Sequence, residues 1–250
     1  MAPITKLDII KIFIRSFYIQ STWNSERLLG LGFCFCLIPV AKRLFTSEGE
    51  LIDFLNRHLD FFNSHPYMST YALGAVTNIE QQAVHKNWHD KRPITVFKTR
   101  IVGPLGAIGD TLFWQIIRPA FGVLAIALLF LFGIWGSFIY LLLYNIPHFY
   151  VRIKGLIQSY LKGFDIVRDL SLRGAKKYFD ALKYVASSLL GIEAVIVIMK
   201  ILNTPFSMIG AIIFFLSGMI TYYAMRRPKL SIDMLIIFVI FSSIIIGLMV

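Results

Sequence analysis

The sequence predicts an all-α integral membrane protein, and three observations carry that expectation. Hydrophobic residues make up 57% of the 250-residue chain and charged residues 16%, a balance far from that of soluble domains. Apolar runs long enough to cross a bilayer, which takes about 20 residues, recur in the second half. Where charges interrupt apolar residues near the N-terminus, they do so at helical spacing. The expected layout is amphipathic N-terminal helices, a broken or re-entrant glycine-rich core element and C-terminal transmembrane helices. In residue numbers, this gives an N-terminal part over 1–100, the glycine-rich element with one span over 101–149, a basic segment over 150–184 and terminal spans over 185–250.

Residues 4–21 read as an amphipathic helix, because Ile10, Phe13, Ile14, Phe17 and Tyr18 repeat at i, i+3, i+4, i+7 and i+8 while Lys11 and Arg15 fall elsewhere. That pattern suits a helix at a membrane surface or against a partner. No apolar core of a cleavable signal peptide stands at this end. The following FYIQSTWNSERL gathers polar and aromatic groups, with Asn24 and Glu26 among them. It reads either as a polar connection between helices or as part of a site.

Residues 28–41 are apolar but too short to span, so they form a half-span, a re-entrant segment or a buried helix. Cys34 and Cys36 lie within this run, two apart and thus on nearly opposite sides of a helix, so buried thiols are expected rather than a disulfide or metal site. Ser47 and Glu50 then make a capping box for a second amphipathic helix, expected to stop near His65 because Pro66 follows. His85 and His89 have the spacing of a chelating pair but lack a third ligand, and no metal or other cofactor is expected.

Residues 101–119, IVGPLGAIGDTLFWQIIRP, are the most informative stretch. Gly103, Gly106 and Gly109 recur every third residue and lead directly into Asp110 and Thr111, with Trp114 and Arg118 beyond. A carboxylate in such surroundings is costly in hydrocarbon and normally faces protein interior or a wet cavity. Glycines at this spacing permit close helix approach, or a helix break that turns backbone groups toward a ligand. A span over 121–146 follows, ending in LYNIPHFYVRIKG with Asn145 ahead of a proline. If that span crosses alone, the basic residues at 86–100 and at 150–184 fall on opposite sides, against the positive-inside rule. A glycine-rich run that enters and returns, or crosses together with its neighbour, removes the conflict. The formal charge of +11 sits beside apolar segments throughout, where topology and anionic lipid explain it, and no nucleic-acid partner is expected.

Four segments, FYIQSTWNSERL, FFNSHPY, GPLGAIGDTLFW and LYNIPHFYVR, occur in an order and at spacings that resemble the IID component of the mannose-type (mannose, fructose, sorbose) phosphotransferase system. The resemblance runs from about Leu7 to the C-terminus. It departs at GPLGAIGD, where Gly and Ala exchange places relative to the family's GPLAGIGD, and in an NIEQQAVHKNW loop that lacks an acidic cluster.

The resemblance implies a multi-pass subunit of a bacterial inner-membrane permease; the positive-inside rule leaves its C-terminus outside, with the N-terminus expected in the cytoplasm. It pairs with a IIC subunit, as a trimer of IIC–IID pairs, to move a hexose that soluble IIA and IIB components phosphorylate. The subunit itself is then not an enzyme. Its five histidines share no context, and its glycines lack the Lys and Ser/Thr of a P-loop. Asp110, Thr111, Trp114 and Asn145 supply hydrogen-bonding groups and an aromatic face suited to a sugar. They are expected on the substrate path or the partner interface. The alternatives are a structural membrane anchor without sugar contact, in which Asp110 caps a helix or pairs with Arg118, and an intramembrane enzyme.

Overall fold

The computed structural model describes residues 3–170 and 179–188, with Gly191 and Leu216. The chain divides into two compact units, Met1–Leu190 and Gly191–Val250, and the described architecture belongs to the first. The three terminal spans expected from residue 185 onward lie outside the described residues, apart from helical 185–188, Gly191 and Leu216.

Helix α1 (Lys6–Ser16) opens with a capping box in which the Asp8 amide donates to Thr5 Oγ1 and the Thr5 amide to Asp8 Oδ2. It ends short of residue 21, because the chain turns through 17–22 to bury Ile19 in the core. Helix α2 (Gly30–Leu44) is a buried core helix, the third of the three options its length left open. Phe33, Cys36, Leu37 and Val40 lie inside, and both thiols are free and buried.

Helix α3 (Glu48–Leu59) starts at the Ser47 cap and ends six residues ahead of the expected His65 stop. Backbone pairing elsewhere explains the early end. The Leu29 amide donates to the Phe62 carbonyl at 2.9 Å and the Phe62 amide to the Arg27 carbonyl at 3.3 Å, which draws residues 60–66 out of the helix.

Helix α4 (Ser69–His85) is the hub, packing against α1, α2, α5 (Arg92–Gly109) and α7 (Ile134–Lys162). Its one buried carboxylate, Glu80, takes two bonds from Arg57, Nε to Oε1 at 2.9 Å and a terminal nitrogen to Oε2 at 3.1 Å, and a third from His58 Nε2 at 2.9 Å. Lys98 Nζ, from α5, donates to the Arg57 carbonyl at 2.7 Å. The anion thereby ties α3 to α4, and Lys98 ties α5 to α3.

The glycine-rich run is neither broken nor re-entrant, which corrects the expectation. α5 passes without interruption into a π-helical segment (Asp110–Ile117) and then α6 (Arg118–Phe132), a 41-residue rod. Pro119 lacks the N–H that would bond the Gln115 carbonyl, and the wider π winding lies directly ahead of it. The rod is long and apolar enough to cross a membrane, and only 22% of its most apolar window is buried.

The single span expected over 121–146 is also corrected. Gly133 adopts φ +56° and ψ −138°, a region open only to glycine. There the chain reverses, so α6 and α7 form a helical hairpin in which Phe121 meets Tyr144 at 5.7 Å between ring centres. At the other end of this hairpin Phe97 and Trp88 pack on Phe164, at 5.2 and 6.3 Å. The basic stretches before and after it therefore lie at the same end, as the positive-inside argument requires. The tip is apolar: Ile134 and Trp135 are each 70% exposed. Such a surface belongs in lipid or against protein rather than in water.

The buried anion gives this core an acid-sensitive stability. Burial pushes the Glu80 carboxyl up, but the bonds and charges of His58 and Arg57 outweigh it and hold the group below its ordinary 4.5. Burial, against the pull of Glu80, holds the His58 imidazole below its ordinary 6.5. Both groups bind fewer protons folded than unfolded, so stability falls as pH drops, first below about 6.5 through His58 and then below about 4.5 through Glu80. Thermal unfolding in detergent should show that decline with a shallower slope in His58→Gln. Glu80→Ala, which strands Arg57, should cost about 3–5 kcal/mol. An unchanged slope and an undiminished midpoint contradict the assignment.

Candidate functional site

A cleft of about 570 Å³ opens where the turn after α1, the loop between α3 and α4, and the rod meet. Gln20 and Trp23 come from the turn, Asn63, Ser64 and His65 from the loop, and Gly103, Gly106, Asp110 and Trp114 from the rod. Three of the four sequence motifs thus converge on one cavity. The fourth, LYNIPHFYVR, supports it from behind.

His65 is the pivot of this arrangement. Its ring stacks on Phe113 at 5.0 Å and lies 5.1 Å from Trp114, while Tyr67 stands edge-on at 5.0 Å. A side chain at Gly109 would sit 2.3 Å from His65 Cβ, so glycine alone lets the rod seat here. The Tyr67 amide donates to His65 Nδ1 at 3.3 Å, which places the ring proton on Nε2. Among the described residues, that Nε2 and the neighbouring Ser64 Oγ are both buried without a partner. Each such group costs about 1–3 kcal/mol unless a ligand or water satisfies it. Burial, and then the nearby Arg152 charge, hold the imidazole down at about 4, so His65 is neutral at physiological pH.

Behind Tyr67 runs a hydrogen-bonded chain along α7. Arg152, buried, donates to the Ser16 carbonyl at 2.7 Å and Ser16 Oγ at 2.9 Å, and from Nε to His148 Nε2 at 2.6 Å. His148 Nδ1 meets Asn145 Oδ1 at 3.3 Å, and Asn145 Nδ2 donates to the Leu141 carbonyl at 2.7 Å. Tyr67 stacks on the His148 ring at 4.0 Å. This chain fixes the Tyr67 face that in turn braces His65 and Phe113.

The structure sorts the sequence-predicted residues. Asp110, Trp114, Gly103 and Gly106 line the cleft, and Gly109 seats its pivot. Asp110 is exposed and, among the described residues, makes no hydrogen bond or ion pair; Arg118 lies instead over the Trp114 ring at 5.2 Å. Asn145 belongs to the supporting chain, and Thr111 does not line the cleft. Asn24 and Glu26 are not part of it either: Asn24 Oδ1 closes its own turn by accepting the amides of Glu26 and Arg27, and Glu26 is exposed beside Arg27. Ser64 and His65 went unassigned because a polar pair ahead of a proline reads as a plain connection. The recurrence of FFNSHPY among the four motifs was the signal available.

A helical chain with a long, outward-facing apolar hairpin and a polar cleft at its base has the surface of a membrane protein. Residues 3–250 match the family described as PTS system mannose/fructose/sorbose family IID component, and the chain belongs to that family. The mannose-specific EIID component of Escherichia coli K12 is 34% identical over 168 residues, 67% of this chain and 59% of that protein. The fructose permease IID component of Bacillus subtilis 168 is 31% identical over 168 residues, 67% of this chain and 61% of that protein. The sorbose-specific EIID component of Lacticaseibacillus casei is 30% identical over 190 residues, 76% and 67% of the two chains. The chain spans about three fifths of the length of the first two relatives. The cryo-EM structure of the mannose transporter ManYZ in complex with microcin E492 superposes with a TM-score of 0.62 at 30% identity, covering 77% of this chain and 70% of that one. A second structure, described as that of a membrane protein, gives 0.66 at 32% identity over the same shares.

The seating of the rod predicts unequal effects of adding one methyl group. Gly103→Ala and Gly106→Ala meet open space and should be neutral or stabilise the helix by up to about 1 kcal/mol. Gly109→Ala drives into His65 and should cost about 1–3 kcal/mol. Thermal unfolding of the three variants in one detergent distinguishes them, and equal effects contradict the packing.

Proposed function

We propose that this chain is the IID membrane subunit of a phosphoenolpyruvate-dependent sugar phosphotransferase system, and that its cleft lies on the hexose path. With a IIC subunit it forms the permease, and soluble IIA and IIB components carry the phosphoryl group, so no catalytic residue is assigned to this chain. The assembly is a trimer of IIC–IID pairs in a bacterial inner membrane. The family match and relatives named for mannose, fructose and sorbose support this reading. The observation that carries the cleft's role is the set of polar groups left open there. Among the described residues Asp110 has a carboxylate without a partner, and the His65 N–H and Ser64 hydroxyl are buried without one behind the lining, beside the exposed indoles of Trp23 and Trp114.

Those groups suit a sugar. A carboxylate accepts from two neighbouring hydroxyls, an imidazole N–H donates to a third, and an indole covers the C–H face. Gln20 and Asn63, also at the cleft, both donate and accept. Binding would recover the desolvation cost stored in Ser64 and His65. Since both basic flanks of the hairpin lie at one end, they are assigned to the cytoplasm. The N-terminus lies on that side, and three further spans leave the C-terminus outside.

Mild detergent extraction of the tagged chain should bring down a polytopic partner and phosphoenolpyruvate-dependent sugar phosphorylation. In that assembled complex, Asp110→Ala should lower hexose uptake at least about tenfold, as expected for loss of a charged hydrogen bond. His65→Ala should lower it too, with partner recovery unchanged. Full uptake in both assembled variants removes the cleft from the sugar path while leaving the family assignment intact.

A further inference from the structure

A second hollow, of about 300 Å³, lies on the other side of α1, between that helix and α2. Lys11, Arg15, Lys42 and Arg43 line it, with Asp8 as its one acid. Asp8 is already committed. Arg43 holds both of its carboxylate oxygens, at 3.0 and 3.3 Å, and Thr5 Oγ1 donates to it at 2.7 Å. That pairing leaves Lys11, Arg15 and Lys42 uncompensated around one small cavity. Arg15 is held in place by a bond to the Phe35 carbonyl at 3.0 Å and by its position 4.3 Å over the Phe35 ring. Lys11 and Lys42 are exposed and make no hydrogen bond or ion pair among the described residues.

The hollow borders the unpartnered apolar stripe of α1. Leu7, Ile10, Ile14 and Tyr18 are all more than half exposed. At 100° per residue the three on α1, Leu7, Ile10 and Ile14, fall on one arc, Lys11 and Arg15 follow at its edge, and the buried Asp8, Ile12 and Ser16 lie beyond. Apolar surface and cations are therefore adjacent, in the order in which a lipid presents its chains and its phosphate. We infer that this hollow binds the phosphate-bearing headgroup of an anionic phospholipid, whose acyl chains run along the α1 stripe. Arg15 supplies a fixed planar donor, and the two lysines close over the phosphate as mobile point charges. The site is separate from the sugar cleft, and its assignment does not depend on the proposed transport role.

The test uses the full chain in a neutral detergent, titrated with short-chain phosphatidylglycerol, with phosphatidylcholine of the same chain length, and with inorganic phosphate. Native mass spectrometry reads the bound adducts. Phosphatidylglycerol should bind saturably and in preference to the other two. Lys11→Gln with Lys42→Gln should weaken it about thirtyfold, the sum of two surface-charge contributions. Lys11→Arg with Lys42→Arg should retain binding, and Lys86→Gln with Arg100→Gln, of equal charge change on distant exposed positions, should leave it unaltered.

Equal affinity for the two lipids, or an equal loss in the distant pair, overturns the inference. Displacement of phosphatidylglycerol by inorganic phosphate alone would mark a free-anion site and also overturn it. So would closure of the hollow to lipid in the assembled complex, which would make it a subunit contact.

Discussion

The contact between Gly109 and His65 is the constraint on which the site depends. It sets how closely the 41-residue rod approaches the loop after α3. With that approach fixed, Phe113 stacks on the imidazole, Trp114 comes to the rim and Asp110 stands at the cleft. A larger residue at 109 would lever the rod away from all three. The π-helical winding adds to this placement, because its wider turn changes which side chains of Asp110–Ile117 share a face. The rigid partner is the loop, held by backbone pairing of Phe62 with the segment ahead of α2.

Two buried charges are handled in opposite ways. Glu80 has a full set of charged and neutral donors, and its network joins three helices. Arg152 has no carboxylate partner among the described residues; it is satisfied by a serine, a backbone carbonyl and a neutral histidine nitrogen. Its positive charge lies over the Tyr67 ring at 5.2 Å and the Phe17 ring at 4.9 Å. The first arrangement holds the bundle together. The second keeps a positive field beside His65 and so helps to keep that imidazole neutral.

Much of this was legible in the sequence, for identifiable reasons. Asp110 stood out because a carboxylate inside an apolar run is expensive, and it does reach the cleft together with Trp114 and two of the three glycines. A returning element does occur, the α6–α7 hairpin, with the basic stretches before and after it at one end. Its location was not legible, because hydropathy runs on unbroken across Gly133 and only the backbone's positive φ reveals the reversal. Asn24 and Glu26 were chosen from the right turn, yet Gln20 and Trp23 face the cavity. A short turn lacks the periodicity that tells one side from the other. Ser64 and His65 escaped for a related reason, since their importance lies in bonds they do not make.

In the proposed function, sugar occupies the cleft between the loop and the rod. A cysteine in place of Gly103, where a side chain meets open space, would report on occupancy without disturbing the packing. Its maleimide labelling rate in the assembled, transporting complex is the most direct measurement. Saturable slowing by the transported hexose, and no effect of a sugar that is not transported, is the predicted result. A labelling rate indifferent to the transported sugar, in a complex that still transports it, would contradict the account.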